Sequence, residues 1–88
     1  MDDIINGKYL TEKQIETIDR LIYQSHVYGF LKIENELKLI QIIDSQYYNK
    51  ILHYRIINTI ENRVQLVRYD KLFFNIAYLN SREKKNES

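Results

Sequence analysis

The sequence has no cysteine and no tryptophan, and its 88 residues include only two glycines. Without cysteine, the chain forms no disulfide bond and offers no thiolate for catalysis or metal binding. Two isolated glycines, Gly7 and Gly29, exclude a glycine-rich loop that cradles phosphates. The core must be built from isoleucine, leucine, tyrosine and phenylalanine, and a chain of this length buries only about 60% of its unfolded surface.

Long hydrophobic runs are also missing. No apolar stretch approaches the length of a signal-peptide core or a membrane span, and the first residues are acidic. We therefore expect a cytoplasmic protein that does not enter a membrane. Isoleucine, asparagine, lysine and tyrosine are abundant and have AT-rich codons, with 14 Ile and 8 Tyr in the chain. This bias predicts a low-GC bacterium, or a phage or plasmid in one, as the source.

Charge is unevenly distributed, although the net charge is only +1. Residues 1–49 hold eight acidic and five basic side chains, a local charge of −3. Residues 50–71 hold five basic and two acidic side chains, a local charge of +3. The asymmetry can orient a charged partner, whereas the overall balance gives no global attraction to nucleic acid.

A helix is predicted over about residues 12–27. Thr11 is a favourable N-cap, and Gln14 three residues later completes a capping box. Gly29 follows the helix as the expected C′ residue. An apolar stripe at helical spacing covers one face of the helix and consists of Ile15, Ile18, Leu21 and Ile22.

Alternating apolar and polar residues predict four antiparallel strands after the helix, at about residues 37–43, 50–60, 64–69 and 72–79. Short turns should make successive strands neighbours, and Asn62 suits the left-handed conformation of a tight hairpin. Residues 45–49 are expected to form a loop. Periodicity alone leaves open that residues 34–48 are helical. Residues 81–88 are polar and charged and predict a disordered tail.

These elements predict one α+β domain over residues 1–80. Its N-terminal helix should pack on a small four-stranded antiparallel sheet, because a sheet of this size cannot bury its apolar face alone. Curvature along a long second strand would turn the sheet into a partly open barrel of the Sm or SH3 kind.

The order of helix, strand, long strand, short turn, strand and strand resembles the YolD-like family of Gram-positive bacteria and their phages and plasmids. Three segments carry the resemblance: Arg-Ile-Ile-Asn-Thr-Ile-Glu at 55–61, Arg-Val-Gln-Leu at 63–66 and Phe-Asn-Ile-Ala-Tyr-Leu at 74–79. It spans roughly residues 11–79. The resemblance implies an Sm-like fold and an accessory role beside a Y-family translesion DNA polymerase, and it implies no catalytic residues.

The sequence shows no catalytic or metal-binding pattern. His26 and His53 are far apart and have neither a cysteine nor a carboxylate motif nearby. Glu34 and Glu36 are expected in a turn, whereas catalytic carboxylate pairs sit in a cleft. We therefore predict that the protein is not an enzyme and needs no cofactor or metal.

The clearest functional signal is a set of tyrosines interleaved with basic residues in the second half of the chain. Aromatic rings stack on bases while arginine and lysine hold phosphates, and tyrosine and arginine are also enriched in protein interfaces. The tyrosines can instead complete the core with their hydroxyl groups in water. The candidate partner-binding residues are Tyr47, Tyr48, Tyr54, Arg55, Arg63, Arg68, Tyr69 and Lys71.

We therefore predict a non-enzymatic protein-binding module, which the family resemblance extends to an accessory or regulator of a translesion DNA polymerase. One alternative is a phage- or plasmid-encoded inhibitor of a host or defence protein. A second alternative is a small nucleic-acid-binding barrel. Open sheet edges and a content of 44% hydrophobic residues are also compatible with a homodimer.

Overall fold

A computed structural model describes residues 3–59 and 61–83. Two short 3-10 turns, Gly7–Tyr9 and Tyr69–Lys71, join the regular elements. The helices are α1 (Glu12–Gln24) and α2 (Ile76–Glu83). The strands are β1 (Ile4–Asn6), β2 (Val27–Ile33), β3 (Glu36–Tyr48), β4 (Ile51–Asn58), β5 (Arg63–Arg68) and β6 (Leu72–Asn75). The predicted α+β class is confirmed, but the sheet formed by the described residues has six strands where four are predicted.

Helix α1 begins where the capping box predicts. The Thr11 hydroxyl accepts the Gln14 amide at 3.1 Å, and the Gln14 side chain accepts the Thr11 amide at 2.9 Å. The helix ends at Gln24, earlier than predicted, because the chain enters β2 at Val27. Gly29 is therefore not a C′ residue.

Gly29 instead lies buried within β2, opposite Ile40 of β3. A Cβ atom at this position would lie 3.1 Å from the Phe73 carbonyl oxygen and 3.3 Å from the Ile42 Cδ1 atom. The glycine thus permits a close approach between β2 and its neighbours in the sheet.

The strand order of the sheet is β1-β6-β2-β3-β4-β5, and every pairing is antiparallel. The expectation that successive strands are neighbours fails for β6, which pairs with β1 and β2. In a flat sheet β5 and β6 would lie four strand spacings apart, about 19 Å. The linker from Arg68 to Leu72 reaches at most about 14 Å. The sheet must therefore curl, although among the described residues no pairing joins β5 to β1 and closes it.

Strand β3 is a single strand of 13 residues. It replaces the predicted strand at 37–43 and the predicted loop at 45–49, and it excludes the helical alternative for residues 34–48. The segment that resembles a loop in composition is held as a strand because residues 44–48 pair with residues 51–55 of β4.

A β-bulge interrupts β3 at Ile43. Ile42 lies opposite Ile56 and Asp44 lies opposite Arg55, so Ile43 is an extra residue without a partner position in β4. Counting every second residue from Ile42 would place Tyr48 on the inner face of the sheet. Because Ile43 is extra, Tyr47 lies there instead, opposite the buried Leu52.

The last predicted strand, 72–79, is wrong beyond Asn75. Strand β6 ends at Asn75, whose side-chain oxygen accepts the Tyr78 amide at 3.1 Å as an N-cap residue does. Helix α2 follows and buries Leu79. The predicted disordered tail overlaps α2 at residues 81–83, and residues 84–88 lie outside the described residues.

The core lies between the inner face of the curled sheet and the two helices. Helix α1 contributes Ile18 and Leu21, and α2 contributes Leu79. The Tyr54 and Phe74 rings meet edge to face with centroids 6.0 Å apart. The sheet supplies the remaining buried apolar residues, Val27, Ile40, Ile42, Leu52, Tyr54, Ile56, Leu72 and Phe74. Neither described helix has the length and apolarity that crossing a membrane requires.

Candidate functional site

A groove of about 550 Å³ opens between the β3–β4 hairpin and the two 3-10 turns. We call it the hairpin groove. The hairpin contributes Tyr47, Lys50, Ile51 and Leu52 to its lining. The other side contributes Lys8, Leu10, Ile15, Arg68, Tyr69 and Asp70. The groove thus combines apolar, aromatic and charged side chains from both halves of the chain.

The wall opposite the hairpin depends on a close contact between the two 3-10 turns. Gly7 is buried there, and a Cβ atom at this position would collide with the carbonyl oxygen of Tyr69. The Asn6 side chain donates to the Asp70 carbonyl oxygen at 3.0 Å and accepts the Lys8 amide at 2.9 Å. Gly7 and Asn6 therefore hold Lys8 beside the second 3-10 turn.

Two features of the hairpin direct its side chains into the groove. The bulge at Ile43 turns Tyr47 to the inner face, where 66% of the Tyr47 side chain remains exposed at the end of the strand. Asn49 and Lys50 form the turn between β3 and β4, with φ angles of 52° and 68°. Two successive left-handed residues are typical of a type I′ hairpin turn, in which the second position favours glycine.

The charges of the groove are partly neutralised within it. The Arg68 guanidinium donates to both carboxylate oxygens of Asp70, with each distance 2.8 Å. This pair lowers the pKa of the Asp70 carboxyl and raises the pKa of Arg68. In the part of the chain that the structure describes, no salt bridge includes Lys8 or Lys50. Of the described residues, three cations and one anion line the groove, a net charge of +2.

The structure brings three of the eight predicted partner-binding residues into this groove: Tyr47, Arg68 and Tyr69. Tyr48 and Arg55 lie on the outer face of the sheet, where Tyr48 packs edge to face against His53. Tyr47 and Tyr48 are separated because neighbouring side chains of a strand point to opposite faces. The bulge determines that Tyr47 is the one on the inner face, away from Arg55.

Two further predicted residues are exposed outside the groove. Arg63 begins β5 and forms a salt bridge of 3.3 Å with Glu61, and Lys71 ends the second 3-10 turn. Each is exposed, but neither is part of the lining of the hairpin groove.

Tyr54 is a correction to the predicted site. Its side chain is 0% exposed and belongs to the core, so it offers no surface to a partner. Its hydroxyl group has no hydrogen-bond partner among the described residues. Burial, followed by the charge of Asp19, raises the pKa of the Tyr54 phenol well above its usual value of 10.

Sequence reasoning missed the contribution of the N-terminal segment to the groove. Lys8, Leu10 and Ile15 line it together with the hairpin. They reach it because β1 pairs with β6 and thereby brings the first 3-10 turn beside the second. The one local signal is the isolated Gly7, which marks a close approach of backbone.

A second cavity, of about 390 Å³, is lined by His26, Tyr28, Phe30, Asn75 and Tyr78. It contains none of the predicted partner-binding residues. Within residues 3–59 and 61–83, no group of three side chains is arranged to hold a metal ion. Comparison with protein families, with curated proteins and with solved structures finds no match to this chain.

Proposed function

We propose that the protein is a cytoplasmic, non-enzymatic protein-binding module that holds a segment of its partner in the hairpin groove. The observation that carries this proposal is Tyr47, a large aromatic side chain that is 66% exposed at the edge of the groove. Exposed tyrosines beside apolar side chains are typical of interface hot spots, because the ring buries a large area and the hydroxyl group still forms hydrogen bonds.

The curl of the sheet supports the assignment of the fold to a partly open barrel of the Sm or SH3 kind. Helix α1 precedes strands β2 to β6, and the last strand returns beside β2 after a single 3-10 turn. With the resemblance to the YolD-like family, this extends the proposal to an accessory or regulator of a translesion DNA polymerase. The alternative is a phage- or plasmid-encoded inhibitor of a host or defence protein. A neighbouring polymerase gene would favour the accessory, and neighbouring early phage genes would favour the inhibitor.

Nucleic-acid binding is the second candidate function. Lys8 and Lys50 lie in the same groove as Tyr47, an arrangement in which lysines contact phosphates and the ring stacks on a base. Arg63 and Arg68, however, already have carboxylate partners within the chain. Because phosphate contacts release counterions, binding of this kind must weaken steeply as salt rises.

Affinity capture from a low-GC Gram-positive lysate tests the proposal, with washes at low and at high salt and with bound proteins and nucleic acids both identified. The bait is the full chain, compared with its Tyr47→Ala and Tyr23→Ala variants. Tyr23 is the matched control, because it is 81% exposed on α1 and lies outside the groove. We expect one protein that the wild type and Tyr23→Ala retain at high salt and that Tyr47→Ala loses.

Two outcomes would contradict protein binding at the groove. If no protein is retained in a Tyr47-dependent manner, the groove is not the binding site. If nucleic acid alone is retained, at low salt only and through Tyr47, the second candidate replaces the first.

A further inference from the structure

We infer that the hairpin groove takes an acidic segment of a partner protein, in which an apolar or aromatic side chain lies between carboxylates. This inference rests on the proposed function and adds the chemistry of the segment that the groove holds. Three observations carry it: the charge left over in the groove, its apolar floor and the backbone conformation of Lys50.

The charge left over in the groove is positive. Asp70 is satisfied by two hydrogen bonds from Arg68, so that pair contributes little net attraction for a ligand of either sign. Lys8 from the first 3-10 turn and Lys50 from the hairpin remain without a salt bridge among the described residues. Carboxylates on a partner would complement these two ammonium groups.

Two ammonium groups favour a peptide over a nucleic-acid strand. A strand carries one phosphate for each nucleotide and needs a cationic track that follows its backbone. Neither Arg55, which lies on the outer face of the sheet, nor Arg63, which is paired with Glu61, extends the hairpin groove into such a track. A short segment with carboxylates flanking one apolar residue needs only the two lysines.

The floor of the groove is apolar and is supported by the core. Leu52 is itself a core residue, and Leu10 and Ile15 pack against the core cluster. Such a floor is formed before a ligand arrives, which lowers the entropy cost of binding. The volume of about 550 Å³ lies within the range of ordinary binding pockets, about 300–1,000 Å³. It has room for an apolar side chain and its neighbours.

Lys50 occupies a position in which a lysine is unfavourable for stability. Its φ angle is 68°, in the left-handed region that glycine adopts without strain. The β2–β3 turn has the same geometry, with φ angles of 53° and 68°, and places Asn35 at the equivalent position. Asparagine tolerates this region better than lysine does. A charged residue held in an unfavourable conformation beside a groove points to use of its ammonium group.

Selection from a phage-displayed random peptide library on the purified full chain tests the inference. We expect the selected peptides to be enriched in aspartate and glutamate around an apolar or aromatic residue, and their affinity to fall as salt rises. Lys50→Glu should weaken a selected peptide by roughly fivefold or more, since it removes an attraction and adds a repulsion. Lys32→Glu is the matched control, because Lys32 is exposed on β2, outside the groove, and the change in net charge is the same.

A second variant protects the test against a failure of Lys50→Glu to fold. Lys50→Gly removes the ammonium group and relieves the left-handed strain, so a folded Lys50→Gly with weaker binding to the selected peptides supports the inference. Unchanged binding by a folded Lys50→Gly would overturn it.

The outcomes separate this inference from the proposed function. Selected peptides that require Tyr47 but show no acidic enrichment would overturn the inference and leave protein binding at the groove standing. If Tyr47→Ala abolishes the binding of no selected peptide, the proposed function itself fails. A single-stranded oligothymidylate that displaces the peptides and binds more tightly than they do would overturn the inference in favour of nucleic acid.

Discussion

Replacing Tyr54 by phenylalanine should make the protein more stable. The Tyr54 hydroxyl is buried and has no hydrogen-bond partner in the part of the chain that the structure describes. A buried polar group without a hydrogen bond costs about 1–3 kcal/mol. The void left by one oxygen atom, at about 24 cal/mol per Å³, costs only a few tenths of a kcal/mol. The ring and its contact with Phe74 are retained, so we expect Tyr54→Phe to raise the free energy of unfolding by about 1–2 kcal/mol.

Urea unfolding at neutral pH, followed by circular dichroism, measures this difference. In a parallel thermal unfolding experiment, a change of 1 kcal/mol should shift the melting temperature of a domain of this length by about 4–8 °C. Tyr28→Phe is the control, because Tyr28 is exposed on β2 and its substitution should change stability by no more than about 0.5 kcal/mol. A loss of about 1 kcal/mol in Tyr54→Phe would refute the reasoning and show that the hydroxyl makes a hydrogen bond.

The same variant has a signature at alkaline pH. Burial and then the charge of Asp19 raise the pKa of Tyr54 above 10 in the folded protein. Above pH 10 the unfolded chain therefore releases the phenol proton while the folded chain keeps it. The free energy of unfolding of the wild type is therefore unaffected by this group below pH 10 and falls as pH rises further, by up to about 1.4 kcal/mol per pH unit. The stability advantage of Tyr54→Phe should widen above pH 10, and an advantage that is constant from pH 8 to 11 would contradict the raised pKa.

Three further substitutions test the groove and its supports. Gly7→Ala should cost about 1–3 kcal/mol in urea unfolding, because its Cβ atom would collide with the Tyr69 carbonyl oxygen; a fully stable Gly7→Ala would show that the two 3-10 turns can move apart. Thr11→Ala should lower the melting temperature by the equivalent of about 1 kcal/mol, since the Gln14 amide loses its cap, and Thr11→Ser should restore it. Lys50→Gly should raise the free energy of unfolding in urea by about 0.5–1 kcal/mol. Glycine removes a left-handed backbone penalty of about 1–2 kcal/mol, which is larger than the free-energy cost of the greater freedom of glycine in the unfolded chain. A loss of stability would show that the Lys50 side chain supports the turn.

The beginning of α1 could be predicted from the sequence because its determinants are local. The capping box needs only Thr11 and Gln14, which are three residues apart. The end of α1 could not be predicted, because a glycine after a helix and a glycine within a crowded strand have the same local sequence. Gly29 is explained by the Phe73 carbonyl oxygen, which is 44 positions away and reaches it only through the β2–β6 pairing.

Strand pairing between distant segments accounts for the other differences between the predicted fold and the structure. The alternation of residues 72–79 continues past Asn75, and only the cap at that residue distinguishes the helix from a longer strand. The place of β6 beside β1 and β2 depends on the curl of the whole sheet. No local pattern encodes that curl, so a four-stranded meander was the simplest arrangement compatible with the turns.

The candidate site was predictable in part where it is built from the neighbouring strands β3, β4 and β5, although Lys50, in the turn between β3 and β4, is not among the predicted residues. Tyr47 and Arg68 come from these strands, and Tyr69 follows them directly, so their approach needs only short-range connections. Lys8 could not be predicted because β1–β6 pairing, across most of the chain, brings it to the groove. Tyr54 was misassigned because composition does not distinguish a tyrosine of the core from a tyrosine of the surface.

The bulge at Ile43 has a consequence for how the length of this chain can vary. A chain that lacks Ile43 would keep Ile42 opposite Ile56 and Asp44 opposite Arg55, and its later side chains would still point to the same faces. Loss of one residue elsewhere in β3 would exchange the two faces beyond that point. A one-residue gap is therefore tolerated at position 43 and disruptive elsewhere in the strand, and alignments of relatives should place their gaps there.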